Sequence, residues 1–427
     1  VATQMRRQGL GPAEIGAFVG SLYLPWAFKW IAGPFVDTFT SEKLGRRRTW
    51  ILLTQVGLVL ALLAAWPVNF ATELKLFTLL LLIHNSFAAV QDVAIDALAV
   101  DVLPESERGV ANGFMFGGAY FGQAVGGSGA LFLAAHVPFS ATYFYVAACL
   151  MLVTLFVTLP LKEPARAARV ASVAVGSRLL GVLGQIRKFV MDVLRAFFGS
   201  RGAFVGLITA LLPAGAYALG LALQTNLAVE LGLDDTAVAT LTLWSTIISA
   251  LGCVAGGWLS DRFGRRKMLA LFLFATAIPT LWLAWKMQQA GWIQPVPPDM
   301  ANRPVPSPAL LTVFWISVLI YNVFQGLYYG IRSALYMDVT SPQVAATQFT
   351  AYMALNNFVI TYTATWQGLA VTRFGYPNTL VFDSIAGLLP IALLPLMTPP
   401  KRKALDPGKE YGKVVGPGSN VPEAISP

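Results

Sequence analysis

LIHNSFAAVQDVAIDALAVDV, residues 82–102, and LIYNVFQGLYYGIRSALYMDV, residues 319–339, align without a gap at an offset of 237 residues. Leu82 matches Leu319, Asn85 matches Asn322, Phe87 matches Phe324, Ala97 matches Ala334 and Asp101 matches Asp338. A second pair precedes the first. Gly33-x-x-x-Asp37 followed by Gly45-Arg46-Arg47-Arg48 resembles Gly257-x-x-x-Asp261-Arg262-Phe263-Gly264-Arg265-Arg266-Lys267. Each basic loop follows one apolar stretch and precedes the next. Two parallel halves joined by a linker are the organisation this repeat predicts.

Working outward, composition says what the halves are made for. Of 427 residues, 56% are hydrophobic and only 12% charged. A soluble domain carries about a quarter of its residues charged, so much of this surface faces something other than water. Eleven apolar segments are each long enough to span a bilayer: 13–36, 49–66, 74–100, 109–134, 139–160, 203–226, 237–260, 267–286, 309–337, 346–370 and 378–398. Backbone polar groups in lipid must pair internally, and no short alternating strand pattern occurs, so an all-α membrane protein is expected. Six segments fall in the second half and five in the first. The expectation is two six-helix halves with the first helix missing, the visible helices being the second to the twelfth.

The boundaries follow. Residues 1–160 form the first transmembrane half and 203–398 the second. Residues 161–202 read as an amphipathic linker helix on the membrane surface, with Leu179, Val182, Leu183, Ile186, Val190, Val193, Leu194 and Phe197 at helical spacing. Residues 399–427, rich in Pro, Gly and Lys, read as a disordered tail. The formal charge of +9 is distributed by side. The loop at 37–48 holds four basic residues, 101–108 one, the linker and its flanks eight, 261–267 four and the tail five; the other side holds six. That bias places linker and tail in the cytosol and argues against nucleic-acid binding. Cys149 and Cys253 lie in apolar runs and read as packing residues, without a disulfide or metal.

GWLSDRFGRRK, residues 257–267, resembles the loop signature of the major facilitator superfamily, and PESERGVANG, 104–113, resembles the turn after that superfamily's fourth helix. The first-half loop departs from the plain pattern by an insertion, Thr38 to Leu44. With FKWIAGPFVD before it, GRRRTWILLTQ after it and QDVAIDALAVDVLP in the fourth helix, the first half looks like the peptide–acetyl-coenzyme A transporter family, which includes AmpG-type muropeptide permeases. The resemblance implies the major facilitator fold and a secondary active transporter, often proton-coupled, in the bacterial inner membrane. A muropeptide is the leading solute; a siderophore or an acyl-coenzyme A is the alternative. It implies no cofactor, a monomer, and the bilayer, protons and a polar or amphipathic solute as partners. A membrane-embedded transferase is the competing class. Two histidines, no zinc or nucleophile constellation and no Walker-type loop argue against an enzyme.

Charges inside the spans are candidate functional groups, because lipid makes them expensive. On helix 74–100, Asn85, Asp92 and Asp96 share one face. Measured from Asp101, Asp96 lies about 7 Å in and Asp92 about 13 Å. Lys29 lies about 12 Å from Asp37, at the depth of Asp92. A Lys29–Asp92 pair that protonation breaks would couple transport to protons; a permanent structural pair is the alternative. On the repeat-related helix, Asn322, Gln325, Tyr329 and Ser333 share the equivalent face, with Arg332 at its edge, Tyr328 beside it and no acidic counterpart. Arg332 either binds a substrate anion or neutralises Asp96 across the cavity. Tyr217, Gln224, Asn356, Asn357 and Gln367 are further lining candidates. At the cytosolic ends, Asp37, Arg46, Arg47 and Asp101, then Asp261, Arg265, Arg266 and Asp338, form two expected latch clusters, or else only set topology and bind lipid phosphate. Gly109, Gly113, Gly117, Gly118, Gly122 and Gly126 predict close helix packing.

Overall fold

The computed structural model describes the chain except residues 40, 42–43, 71, 103–117, 164–174, 298–299, 301–303, 341–344 and 399–427. The expected tail, the turn at 104–113 and Gly109, Gly113 and Gly117 lie outside the described residues. Eight helices among the described residues are long and apolar enough to cross a membrane. One of them, Ala345–Leu393, is two helices joined at Gly375, whose φ of 80° is non-helical and which Pro377 follows. It therefore supplies both segments expected at 346–370 and 378–398. The stretch 118–134 is helical and contains a π-helical turn, Gln123–Ser128.

The segment expected at 203–226 is not one continuous helix. It runs as Arg201–Ala210, an irregular stretch, a 3-10 turn Ala218–Gly220 and a helix Ala222–Glu230. Pro213 lacks a backbone donor, and Gly215 takes φ 81°, which a β-carbon disfavours. The backbone donors released by the break find side chains. Thr276 Oγ1 accepts from Ala216 N at 3.0 Å and Asp383 from Ala218 N at 2.8 Å. A break inside a span is tolerated only when protein re-pairs those groups.

The repeat is visible in backbone detail. Gly45 and Gly264 both take a left-handed φ, 93° and 94°, and each opens a basic helix, Arg46–Ala65 and Arg265–Gln289. The first-half helix has an added cap. Glu163 accepts from the backbone N–H groups of Arg46, Arg47 and Arg48, at 2.9, 2.9 and 2.5 Å. A carboxylate there satisfies the orphan donors and the positive end of the helix dipole.

The linker helix, Val175–Phe198, docks on the bundle. Val182, Val193 and Phe197 are buried against the bundle. Phe189 stacks on Trp30 of the first half at 5.2 Å, and Phe197 meets Tyr352 of the second at 5.0 Å. Leu183, Val190 and Leu194, on the other side, stay exposed. The apolar stripe is wider than one contact face, and only part of it docks.

Among the described residues, close packing at glycines occurs at positions other than the expected Gly118, Gly122 and Gly126. A β-carbon on Gly118, Gly122 or Gly126 would meet nothing within 4 Å. One on Gly16 would sit 2.4 Å from Ala364 O, on Gly20 2.5 Å from Thr361 O, and on Gly368 2.3 Å from Pro12 O. The first-half helix Pro12–Leu22 thus crosses the second half backbone to backbone. Within the second half, Gly252, Gly256 and Gly326 make the same kind of crossing between Asp235–Phe263 and Pro308–Val339.

Candidate functional site

Besides the charges at the arginine-rich end, three groups of polar residues organise the interior and the ends of the bundle. The first lies between Lys29–Ile31, a 3-10 turn, and the long helix Leu74–Val102. Pro25 and the Gly33-Pro34 pair interrupt the first span, and the 3-10 turn carries Lys29 toward its neighbour. Lys29 Nζ lies 2.6 Å from Asp92 and 3.7 Å from Asp96. Asp92 and Asp96 are one helical turn apart, so one amine serves both. The Lys29 side chain is 16% exposed, that of Asp92 34% and that of Asp96 50%, so the amine is the most enclosed member of the cluster. Asn85, two turns away on that face, accepts from Trp26 Nε1 at 3.4 Å and donates to Leu81 O.

The second group belongs to the second half. Arg332 is 7% exposed; its Nη1 donates to Tyr217 Oη at 2.9 Å, and its guanidinium lies 6.0 and 5.7 Å from the rings of Tyr328 and Tyr329. No carboxylate lies within ion-pair distance of it among the described residues, so of the two roles open to it, a direct pair with Asp96 is absent here. Its Nε is buried without a partner. Tyr329 is 39% exposed and lies within electrostatic range both of Arg332 and of the first-half residues Lys29 and Tyr23.

Other expected lining residues separate by burial. Gln325 and Asn357 are half-buried, as is Gln224. Tyr328 is 1% exposed and packed with Ile331, Leu335 and Tyr352. Asn322 donates to Val318 O and accepts from Ser249 Oγ at 3.1 Å, on the glycine crossing. Asn356 is buried with Nδ2 unpartnered. Ser333 is half-buried beside Met353, and Gln367 is wholly buried. Asparagine and tyrosine serve packing and binding alike, which a sequence pattern cannot separate.

At the arginine-rich end, Arg265 Nη1 meets Asp338 at 2.6 Å, and Arg266 is half-buried beside it. Arg47 is buried, and its Nη1 reaches Val36 O at 3.3 Å. Arg46 lies half-buried at the Glu163 cap. The side chains of Asp37, Asp101 and Asp261 lie outside the described residues.

The third group was not anticipated from the sequence. At the opposite end, Arg6 Nη2 meets Glu230 at 2.5 Å, with side chains 3% and 1% exposed. Glu230 also accepts from Val296 N at 2.9 Å and from Tyr376 Oη. Arg6 donates further to Leu10 O and Val296 O. Beside it Arg7 and Gln4 both reach Asp235 at 2.9 Å. These bonds tie the first half to the second. Arg6 and Glu230 flank spans instead of lying inside them, so a search for intramembrane charge passes them over. Asp383 was missed too; it is completely buried, inside the last apolar segment.

Comparison with known proteins agrees with this architecture. The family model described as Major Facilitator Superfamily matches residues 2–218 and again 205–424, once per half. The chain is 27% identical over 390 residues to the anhydromuropeptide permease of Escherichia coli strain K12, covering 90% of this chain and 72% of that protein. It is 23% identical over 408 residues to the putative transporter AmpG 4 of Rickettsia conorii, covering 92% and 90%. Among solved structures, the D-xylose–proton symporter superposes with a TM-score of 0.67 at 14% identity, covering 92% of this chain and 90% of that one. The nucleoside transporter NupG gives 0.61 at 15% identity, covering 93% of both.

Proposed function

The chain belongs to the Major Facilitator Superfamily and is an AmpG-like secondary transporter, not an enzyme, and from that premise we propose that it imports a muropeptide-like solute across a bacterial inner membrane with protons as the driving ion. The observation that carries the coupling is Lys29 set between Asp92 and Asp96. Two carboxylates share one amine, so the cluster holds one negative charge in excess and binds one proton without leaving a charge unpaired. Binding that proton loosens Lys29 from one partner. A change of partners at the depth of the solute path is the event that links proton and solute.

Support for the solute comes from the Escherichia coli relative, an anhydromuropeptide permease. A muropeptide carries sugar hydroxyls, amides and carboxylates. Asn85, Gln325 and Asn357 offer amide partners, Tyr329 a ring for stacking on a sugar, and Arg332 with Tyr217 a site for a carboxylate. The arginine-rich end is cytosolic in this reading. There Arg265 with Asp338, and Arg46 and Arg47 at the Glu163 cap, act as latches within the halves. The opposite end, facing outward, is the one held shut.

The experiment is a thermal-shift screen of the purified full chain against anhydromuropeptides, ferric siderophores and coenzyme A esters. Stabilisation by anhydromuropeptides alone is expected, and its loss in R332A. Stabilisation by another class and none by muropeptides would remove the solute assignment.

A further inference from the structure

Asp383 and Arg332 are the only formal charges deep within the helices of the second half; the remaining ionisable aspartates, lysines and arginines of Asp235–Phe263, Arg265–Gln289, Pro308–Val339 and 345–393 lie near helix ends. Each is buried, and each lacks an opposite charge within ion-pair distance among the described residues. Among the described residues Asp383 accepts from neutral donors, Gln367 Nε2 at 2.5 Å, Ala218 N at 2.8 Å and the backbone N–H of Tyr217. Arg332 donates to Tyr217 Oη. Tyr217 and Ala218 are consecutive residues of the irregular stretch described above. The carboxylate and the guanidinium thus hold the same short piece of chain from two sides.

That piece has little freedom of its own. Gly215 N donates to Gly387 O at 3.0 Å, and a β-carbon on Gly387 would lie 2.2 Å from Gly215 C. One further atom is out of balance. Gln367 Oε1 is buried without a hydrogen-bond donor. A carboxylate can only accept, so it cannot satisfy that oxygen; a protonated carboxyl can, once the Gln367 amide turns over.

We propose that Asp383 is a second proton-binding residue, acting as the counter-charge of Arg332 across the break in the helix. This rests on the reading of Arg332 as the anion site. With no anion bound, Arg332 favours ionised Asp383. An anionic group on Arg332 cancels that field, and Asp383 then takes a proton and donates it to Gln367 Oε1. The solute's negative charge enters the second half together with a compensating proton. Other titratable groups around Asp383 are few. Tyr321 lies near it, Tyr217 gives its backbone N–H to Asp383 and takes a hydrogen bond from Arg332 on its hydroxyl, and Tyr328, Tyr329 and Tyr336 surround Arg332. Glu230 and Tyr376 lie toward the helix end. Arg265–Gln289 presents Thr276 and no ionisable group at this level.

The test uses the purified full chain and two readouts. Infrared spectra report the carbonyl band of buried protonated carboxyls, with and without an anhydromuropeptide, and an indicator dye in weak buffer reports proton uptake. Wild type is expected to gain the band and take up a proton on binding. D383N is expected to bind with a smaller band and less proton uptake, and D383N/D92N/D96N, which also lacks the carboxylates beside Lys29, with neither. Signals of full wild-type size in D383N overturn the proposal, as does binding to wild type with neither signal. If no muropeptide binds wild type, the solute reading fails, and spectra without ligand decide this one. At a fixed pH, R332Q should show a larger acid band than wild type, and the added part should vanish in R332Q/D383N. An unchanged band in R332Q overturns it.

Discussion

Arg6 and Glu230, 224 residues apart in sequence, form a buried ion pair that joins the two halves at the end of the bundle poor in basic residues. Both charges keep further hydrogen bonds, from Arg6 to Leu10 O and Val296 O and to Glu230 from Val296 N and Tyr376. A buried pair needs such partners to offset desolvation. In an alternating-access cycle this end must open, and then the pair must part.

Removing one partner while the other stays buried costs about 3–5 kcal/mol. E230Q should therefore destabilise the closed state at this end. The measurement is labelling of T361C, at the Gly20 crossing, by a membrane-impermeant maleimide, with Cys149 and Cys253 replaced by Ser. Labelling is expected to rise at least tenfold in E230Q, taking about 1.4 kcal/mol per tenfold. The charge swap R6E/E230R should bring it back toward wild type. Equal labelling in all three would show that the pair does not hold this end.

The glycine crossing makes a second, sterically based prediction. A β-carbon on Gly368 meets Pro12 O at 2.3 Å, so G368V cannot keep the observed approach of Pro12–Leu22. It should wedge the halves apart at this end, raise T361C labelling and slow solute exchange. G122A is the control. Nothing lies within 4 Å of its new methyl, and alanine is favoured over glycine in a helix by about 1 kcal/mol. Its exchange rate should match wild type and its melting temperature should not fall.

Glu163 makes a third. It caps Arg46–Ala65 by accepting from three successive backbone donors. Loss of a helix cap costs about 1 kcal/mol, and loss of a charge at the dipole's positive end about 0.3–1 kcal/mol more. E163A should lower the melting temperature of the purified protein, and E163Q should recover part of the loss. If E163A melts like wild type, the cap has no energetic weight.

Much of this architecture was readable from the residues because it rests on composition and spacing. Apolar segment length located the spans, and the match of 82–102 to 319–339 exposed the two halves. The Lys29–Asp92 pair was legible from depth alone, since both lie a similar number of residues from the same end. Asp338 near Arg265 was legible because the repeat placed it. What resisted reading depends on contacts distant in sequence. Pro213 and Gly215 signal a break, yet only Thr276 and Asp383 explain why it is stable. Glu163 looks like an ordinary loop carboxylate until it meets Gly45. Arg6 and Glu230 carry no motif. Asn322 and Tyr328 had the right types on the right face, but a period marks a face and not what covers it.

In the proposed cycle Lys29, Asp92 and Asp96 convert a proton gradient into solute accumulation. Its most direct measurement is uptake of an anhydromuropeptide into proteoliposomes with an imposed pH gradient, acidic outside, compared with counterflow exchange at equal pH. D92N and D96N should each lose accumulation by at least tenfold while exchange stays within about twofold of wild type, because one carboxylate still pairs with Lys29. Accumulation by wild type should grow as the outside is made more acidic. Full gradient-driven accumulation in the double variant D92N/D96N would contradict the account.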